Sequence, residues 1–496
     1  MPAPLQAAPV RATNHPFSST HSREDMMPSM VLSQQRMRWA LMLTSLLWLG
    51  GCANTSIQDS LQTAGRLAHE PAQWIVSDAQ RAAVSEQVNA LLSKPLSMDD
   101  AVGLAWRHSR AVQTLLSAHA AAVADIDASA RLPNPQWAFE RLIRGDSTEL
   151  TRTLSIGLTE LITLPQRQRL AKAHTQAQVI RTAQQLAWEV AQTRKLWIMA
   201  VAALQTQRYY DDVYELASAG DALAEQMARA GNISALQRAR EAQFLSDALL
   251  QRRRAGAQAL VARERLIRQL GLDRDQAQRL QLPDQLPALP KALRSAEQTA
   301  TRALEERLDI QLARAELLAI AQAQGITQIT SWIDGLHLAG IRQTETGEAP
   351  WKGFELSLPL PLFDWGDARR AGGQARYLAQ LNRTAQTAID AQSQVAQTHA
   401  VYASSFDIAQ HHQATVLPTL QRIADENIYR YNGMLMSVFN VLADARAHIA
   451  GVIGAIDAQR DFWLADVELD NTLLGLASDA QGIAPLSTAS NDKAAH

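Results

Sequence analysis

Residues 354–369 read FELSLPLPLFDWGDAR, and the first nine of them alternate between apolar and other side chains. A period of two with one apolar face is typical of a β-strand that meets lipid on one side and water on the other. We therefore predict a strand over Phe354–Leu362. Weaker alternation predicts three more strands and two polar loops, the strands over Gln136–Ile143, Thr151–Leu161 and Thr330–Ile341 and the loops over Arg144–Leu150 and Arg342–Gly353.

The first strand is less regular than the others, because Arg141 falls in line with Trp137 and Phe139. An ordinary half-buried sheet packed on helices is the alternative to a membrane sheet, and the alternation alone leaves it open. Four strands cannot close a membrane barrel, since even small ones need about eight. Open strand edges in lipid leave backbone groups unpaired. If the strands span a membrane, several chains must therefore share one barrel.

Composition excludes several classes of protein. The 496 residues carry 47 Lys and Arg against 49 Asp and Glu, a formal net charge of −2, which argues against a nucleic-acid binder. One cysteine excludes a disulfide scaffold, a structural zinc cluster and a Cys-ligated iron–sulfur centre. The mean hydropathy of −0.17 is too polar for a polytopic helical membrane protein. With only 23 Gly and 18 Pro, the chain is expected to form long uninterrupted helices.

The single cysteine follows a short apolar run. Trp39–Leu49 is preceded by two arginines and is too short to cross a bilayer, which is the pattern of a secretory signal. Gly50 and Gly51 then lead to Cys52, and this segment resembles the lipobox of a bacterial lipoprotein. The alternative is a buried core cysteine. We predict a signal region over 1–51, with translation starting at Met30 or Met37, and a lipidated N-terminal tether over 52–94.

Three pairs of segments recur at nearly one spacing, which predicts an internal repeat. AWRHSRAVQ at 105–113 pairs with ALEERLDIQ at 303–311, an offset of 198. TLSIGL at 153–158 pairs with ELSLPL at 355–360, an offset of 202, and the same offset places Gly231 over Gly433. Together with a proline-rich linker, these offsets divide the chain into repeat 1 over 95–281, a linker over 282–290, repeat 2 over 291–477 and a flexible tail over 478–496.

Each half is predicted to contain the same helices. An opening helix runs over Ser97 to about Ala130 and over Ser295 to about Gln324. A very long helix follows the strands, over about Gln166–Ala228 and Asp367–Glu426, and after a short turn another helix runs back to about Leu270 and Leu476. At 1.5 Å per residue the first long helix measures ~95 Å. Apolar and small residues at steps of 3 and 4 predict a coiled-coil seam in the second, at Leu381, Ala385, Ala388, Gln392, Val395, His399, Tyr402 and Phe406.

The chain resembles the TolC-type outer-membrane efflux factors from about Leu96 to Leu476. The resemblance rests on LSMDDAVGLAWRHS at 96–109, PNPQW at 133–137, LSLPLPLFDWGDAR at 356–369 and the two turns. It implies a mainly α protein with a small β portion, in which three chains build a 12-stranded outer-membrane barrel on an α-helical periplasmic tunnel. It also implies a periplasmic adaptor protein and an inner-membrane transporter of the resistance-nodulation-division type as partners.

The resemblance also assigns roles to residues near the helical turns. Adaptor docking would fall on the two tips, at Arg229, Gly231, Ser234, Tyr431, Gly433 and Ser437. A glycine permits the positive φ that a sharp helix reversal needs. Gating in the family involves acidic rings, for which Asp444, Asp425 and Glu426 are the candidates here. A solvated surface acid is the alternative reading of each.

No catalytic constellation is present in the sequence, and we predict a protein that is not an enzyme and needs no cofactor or metal. The adjacent His411 and His412 point about 100° apart on a helix and cannot easily share a metal. The predicted function is passive export of metal cations or drugs through the outer membrane of a Gram-negative cell. A type I protein-secretion channel and a periplasmic coiled-coil scaffold without a pore are the alternatives.

Overall fold

The computed structural model describes residues 52–295, 306–331, 335–360 and 362–476. The signal region, the tail over 478–496 and residues 296–305 of the second predicted opening helix lie outside them. Residues from Ser56 onward form one compact unit, and the contacts given below lie within it. The helices are α1 Cys52–Leu67, α2 Asp78–Leu91, α3 Met98–His108, α4 Arg110–Ser129, α5 Leu158–Ile162, α6 Leu164–Arg229, α7 Ala235–Leu270, α8 Arg274–Arg279, α9 Leu308–Thr330, α10 Asp367–His411, α11 Leu417–Asn432 and α12 Val438–Leu473; the strands are β1 Gln136–Arg144, β2 Ser147–Gly157, β3 His337–Glu345 and β4 Trp351–Ser357.

The predicted opening helix over Ser97–Ala130 is interrupted. Ser97 caps α3 by accepting from the backbone N–H of Asp100 at 3.1 Å, as its position suggested. At Ser109, however, the backbone is extended, and α4 starts anew. The same interruption occurs at Arg307 before α9, where it leaves the backbone N–H of Leu308 free to donate to the carbonyl of Leu474 at 2.9 Å. A continuous helix would use that N–H internally.

The first long helix is confirmed and slightly longer than predicted. α6 has 66 residues, or ~99 Å at 1.5 Å per residue. The second is not one α-helix, because a π-helical turn over His412–Val416 separates α10 from α11, which continues past Glu426. Pro418 explains the wider turn, since its ring would clash with the carbonyl four residues earlier in a regular α-helix.

The coiled-coil seam predicted in α10 is buried in its second half and exposed in its first half. Val395, Tyr402 and Phe406 are buried, and they form a cluster with residues of α12 that includes Phe462. The earlier seam residues Leu381, Ala385, Ala388 and Gln392 are exposed. That stretch instead presents a more polar face to α9, where the hydroxyl of Thr384 donates to the carbonyl of Ala313 at 3.3 Å. The return helix α12 ends three residues before the predicted Leu476.

The four strands form one antiparallel sheet in the order β1-β2-β3-β4. The hairpin turn of β1 and β2 is tighter than predicted, with only Gly145 and Asp146 between the strands. The prediction for β2 was wrong beyond Gly157, where α5 begins. The prediction for β3 was wrong at its start, because α9 runs to Thr330 and the strand lies at His337–Glu345.

The fourth strand begins earlier and ends earlier than predicted. β4 covers Trp351–Ser357 and stops before Pro359, which has no N–H to donate to a ladder. Two strands, a long helical segment and a return helix follow one another in both halves of the described chain, although α5 has no counterpart in the second half and the long helix is split there. The internal repeat itself stays a prediction. Among the described residues, no helix has both the length and the apolar character needed to cross a bilayer.

Candidate functional site

The sheet is exposed rather than packed on helices. Every residue of β1 and β4 is exposed, including Trp137 at 64% and Phe354 at 80%. The half-buried sheet is therefore the wrong alternative for these two strands. In the described chain β1 and β4 are also the edge strands, each with one side of its backbone unpaired. An apolar surface with open edges favours a further partner on that surface.

The first tip joins α6 to α7 through a short turn. Gly231 has a φ of 72°, a conformation that glycine adopts most easily, as predicted. Ser234 caps α7 by accepting from the N–H of Gln237, whose side chain accepts from the N–H of Ser234 in return. Arg229 is exposed on the last turn and pairs with Glu225 at 2.5 Å. The tip is thus a well-capped reversal with a polar exterior.

The second tip joins α11 to α12, and here the positive φ predicted for Gly433 was wrong, while its part in adaptor docking stays a prediction. Gly433 has a φ of −78°, whereas Met434, 93% exposed, takes the positive φ of 59°. Ser437 caps α12 as Ser234 caps α7, by accepting from the N–H of Asn440. Tyr431 is exposed beside the turn.

The hydrogen bonds of the two tips show which residues correspond. The N–H of Asn232 donates to the carbonyl of Met227 at 2.9 Å, and that of Leu435 donates to Arg430 at 2.8 Å. Gly231 therefore corresponds to Met434, an offset of 203 rather than 202, and the two capping serines share that offset. The π-helical turn holds one extra residue per turn and accounts for the shift.

The three acidic gate candidates lie close to the second tip and differ in their surroundings. Asp425 accepts from Gln421 at 3.0 Å, and Glu426 pairs with Arg430 at 2.9 Å. Both carboxylates are exposed and both partners lie one turn away on α11. Asp444 is half-buried on α12, where it accepts from the side-chain amide of Asn427 on α11 at 2.5 Å. Only Asp444 links two helices, which sets it apart from the other two.

Near Asp444, α12 is tied to the first hairpin by contacts that the sequence analysis missed. The guanidinium of Arg446 lies 3.3 Å from both carboxylate oxygens of Glu241 on α7 and 4.3 Å above the ring of Phe244. Glu241 is buried, so its charge depends on that partner. In the sequence, the only hint of this contact is that the basic Arg446 follows the acidic Asp444 by two positions.

A groove of about 390 Å³ lies between α6, α11 and α12 beside these residues. Its walls are mainly apolar, with Leu216, Ile423 and Ile449 among them, and it also borders Asp444. Burial, with a contribution from neighbouring Asp212, raises the pKa of Tyr209 to about 12. The phenol is therefore neutral at physiological pH, and its ring packs against the cluster of Val213, Ala217 and Ala248.

Solved structures of other proteins share this architecture. A membrane protein from Pseudomonas aeruginosa is 20% identical, with a TM-score of 0.65 over 76% of this chain and 93% of that chain. The outer-membrane channel CmeC of Campylobacter jejuni is 14% identical, with a TM-score of 0.62 over 79% and 85%. The outer-membrane channel OprN is 18% identical, with a TM-score of 0.63 over 79% and 92%. The chain has the fold of outer-membrane channel proteins.

The outer-membrane channel fold was predicted from the TolC-type resemblance, and at the level of the fold that prediction is confirmed. Identities of 20% or less carry no more than the fold. No protein-family model matches the sequence. No curated protein matches it either.

Within this channel fold, the described residues contain no group of three or more His, Cys, Asp or Glu side chains that could hold a metal ion. His412 lies in the π-helical turn, where a Cβ on Gly454 would come within 3.0 Å of its ring. The ring is therefore a packing group against α12. Cys52 is the first described residue and begins α1. Its acylation stays a prediction.

Proposed function

We propose that this chain is the outer-membrane channel component of a tripartite efflux pump. Three copies would close a 12-stranded barrel from their four-stranded sheets and continue it as a helical tunnel into the periplasm. The observation that carries the proposal is the sheet, whose two edge strands are exposed along their whole length. In a bilayer those edges have to be paired, because lipid offers no hydrogen bonds.

The helices support the tunnel. α6 is ~99 Å long, and α7 and α12 pack beside it. α11 packs on α12, so that the chain holds two antiparallel hairpins. Large apolar side chains on these helices are exposed, for example Leu223, Leu250 and Ile428. Neighbouring copies would cover them. The two tips would dock a periplasmic adaptor, and an inner-membrane transporter of the resistance-nodulation-division type would supply the energy.

Oligomeric state and conductance test this proposal together. The full chain, extracted in detergent, is expected to run as a heat-resistant trimer and to form stable ion-conducting channels in planar bilayers. A Cys52→Ser variant is expected to remain trimeric and detergent-requiring, since the sheet and not the lipid would hold it in the membrane. A soluble monomer or dimer without conductance would overturn the channel and favour the scaffold.

The cargo is proposed as small solutes, either metal cations or drugs. A strain lacking the gene should become more sensitive to one of these classes and recover with the intact gene. If sensitivity is unchanged and a secreted polypeptide disappears from the medium instead, the type I secretion channel is the correct alternative.

The proposed anchor is a lipid on Cys52. Cells grown with labelled palmitate should incorporate label into the intact chain and not into Cys52→Ser, and the intact chain should fractionate with the outer membrane. Label in both proteins, or in neither, would contradict acylation at this cysteine without affecting the channel.

A further inference from the structure

The strand register divides the charged residues of the sheet between its two faces. Residues directly opposite each other on paired strands point to the same face. Phe139 lies opposite Arg152, Arg152 opposite Arg342, and Arg342 opposite Lys352, so three cations form one row across β2, β3 and β4. Arg141 falls on the same face, one row nearer the hairpin turns.

This face is otherwise apolar, and within the four strands it carries no acid. On the helix side of the cation row come Trp137, Leu154 and Phe354 in one row and Ile156, Leu338 and Leu356 in the next. The acids of the strands all lie on the opposite face, at Glu140, Glu149, Glu345 and Glu355. The sheet therefore has one face that is apolar and basic and one that is polar and acidic.

The cations of the row have no counterion in the described chain. Within the described residues, no side-chain ion pair or side-chain hydrogen bond is formed by Arg152, Arg342 or Lys352. All three side chains are exposed or half-exposed. By contrast, Glu149 and Glu345 also lie opposite each other, but Gln343 donates to one and Ser147 to the other. Like charges directly opposite on paired strands repel, so the cation row favours an anion from outside the chain.

We propose that the row Arg152, Arg342 and Lys352 binds the phosphate groups of an anionic lipid in the bilayer leaflet beyond the apolar rows. Neighbouring strands place the three cations about 5 Å apart, and guanidinium groups bind phosphate oxygens in a bidentate manner. The apolar side chains next to the row would contact the acyl chains, and the long cationic side chains reach headgroups. This inference rests on the proposed function, which places the sheet in a membrane.

The lipid is distinguished from a free phosphate ion by the apolar rows beside the cations. Phe354 and Trp137 lie one row from the cations on the same face, and an ion would gain nothing from them. The row also explains the irregularity of the first strand, because Arg141 extends the basic patch by one row instead of interrupting a lipid-facing surface.

The test uses the full chain reconstituted in phosphatidylcholine vesicles with and without lipid A, a phosphate-bearing glycolipid. Native mass spectrometry of the re-extracted protein counts the retained lipid A. We expect Arg342→Gln, at the centre of the row, to lower retention at least fivefold. The matched control is Arg144→Gln, which removes a strand arginine from the opposite face and should retain lipid A as the intact chain does. Excess inorganic phosphate should not displace the lipid.

The outcomes separate this inference from the proposed function. Equal retention by the intact chain and Arg342→Gln, or an equal loss in both variants, overturns the headgroup site while leaving the channel intact. Displacement by inorganic phosphate assigns the row to a free ion and also overturns it. If the intact chain fails to insert even into neutral vesicles, that result contradicts the proposed function, and with it the membrane position on which this inference rests.

Discussion

His119 is a buried side chain whose two ring nitrogens are both used. Its Nε2 lies 3.0 Å from the hydroxyl of Ser60 on α1, and its Nδ1 lies 2.8 Å from that of Thr182 on α6. The Ser60 hydroxyl donates to the carbonyl of Ile57, so it accepts from Nε2, and Nδ1 accepts from Thr182. This arrangement needs the neutral ring, and burial lowers the pKa of His119. The hydrogen bond that Nδ1 accepts from Thr182 on α6 thus needs the uncharged ring, whereas Nε2 donates to Ser60 on α1 in either state.

Stability is therefore expected to fall below neutral pH. Because the pKa of His119 is lower in the folded than in the unfolded chain, the unfolded chain takes up the proton first, and the loss begins as the pH drops through about 6.5. The melting temperature measured between pH 8 and pH 5 should show this fall, and His119→Gln should flatten it. Exposed His174 offers the control, since His174→Gln should leave the pH dependence as it is. A profile unchanged by His119→Gln contradicts the assignment.

At the second tip, Asp444 is the gate candidate that the structure sets apart. If three copies place it around one axis, the carboxylates would attract cations into the channel. Asp444→Ala is expected to weaken the block of conductance by multivalent cations severalfold in planar bilayers. Asp247→Ala, which removes an exposed acid from α7, should leave the block unchanged. A channel unaffected by Asp444→Ala removes Asp444 from the gate.

The sequence located both tips but assigned the positive φ of the second tip to the wrong residue. The caps at Ser234 and Ser437 were not predicted; each forms because a serine hydroxyl at the start of a helix can accept from the backbone N–H three residues on. Gly433 was misplaced because its role was assigned by aligning the two halves, and the alignment slipped by one residue. Arg446 and Glu241 were missed because their pairing joins positions 205 residues apart, and local spacing carries no signal of such contacts.

At the scale of elements, α1 is held by a turn that folds back tightly over Gly65. A Cβ on Gly65 would lie 2.5 Å from the backbone nitrogen of Ala72 and 2.6 Å from the carbonyl oxygen of Glu70. Both are backbone atoms that cannot rotate away. Glycine is therefore needed there for space, although its φ is ordinary.

Gly65→Ala is expected to destabilise the packing of α1 by about 1–3 kcal/mol, as overpacking of a tight site does. Gly256, inside α7, has open space around the same position. Gly256→Ala should therefore stabilise its helix by about 0.5–1 kcal/mol. Melting temperatures, with hydrogen exchange over residues 57–76, report both effects. The same sign for the two substitutions would show that the close contact at Gly65 is unimportant.

The boundaries of helices and strands were predicted well where a local feature of the sequence determines them. The length of α6 was predicted within two residues at its start and one at its end, because nothing in it breaks a helix. Pro418 was visible in the sequence, but a proline predicts a kink or break, and only the structure shows that the helix widens into a π-helical turn instead. The predicted start of β3 at Thr330 was wrong because α9, which contacts α6 and α10, extends to that residue, and the strand begins only at His337.

For the whole molecule, the proposed membrane position of the sheet can be tested with two neighbouring residues. Leu356 lies on the apolar face of β4 and Ser357 on the opposite face. Leu356→Arg should lower the stability of the inserted chain by up to about 2–4 kcal/mol, the cost of a cation on a lipid-facing strand. Ser357→Arg should have a much smaller effect. Urea titration of the chain folded into vesicles measures both, and equal effects would contradict a lipid-facing position for Leu356.

The pairing of β2 with β3 has a consequence for the order in which the molecule folds. Glu149 pairs with Glu345, and the whole helical hairpin of α6 and α7, the linker and α9 lie between the two strands in the sequence. Bringing them together closes a loop of nearly two hundred residues, whereas each hairpin closes on a turn of a few residues. Non-local pairings of this kind form slowly. We expect the hairpins to be complete while the sheet is still open, so that a late intermediate carries formed helices and two β-hairpins that are not yet joined. The joining of the two halves is the step that chaperones for unpaired strands would have to protect.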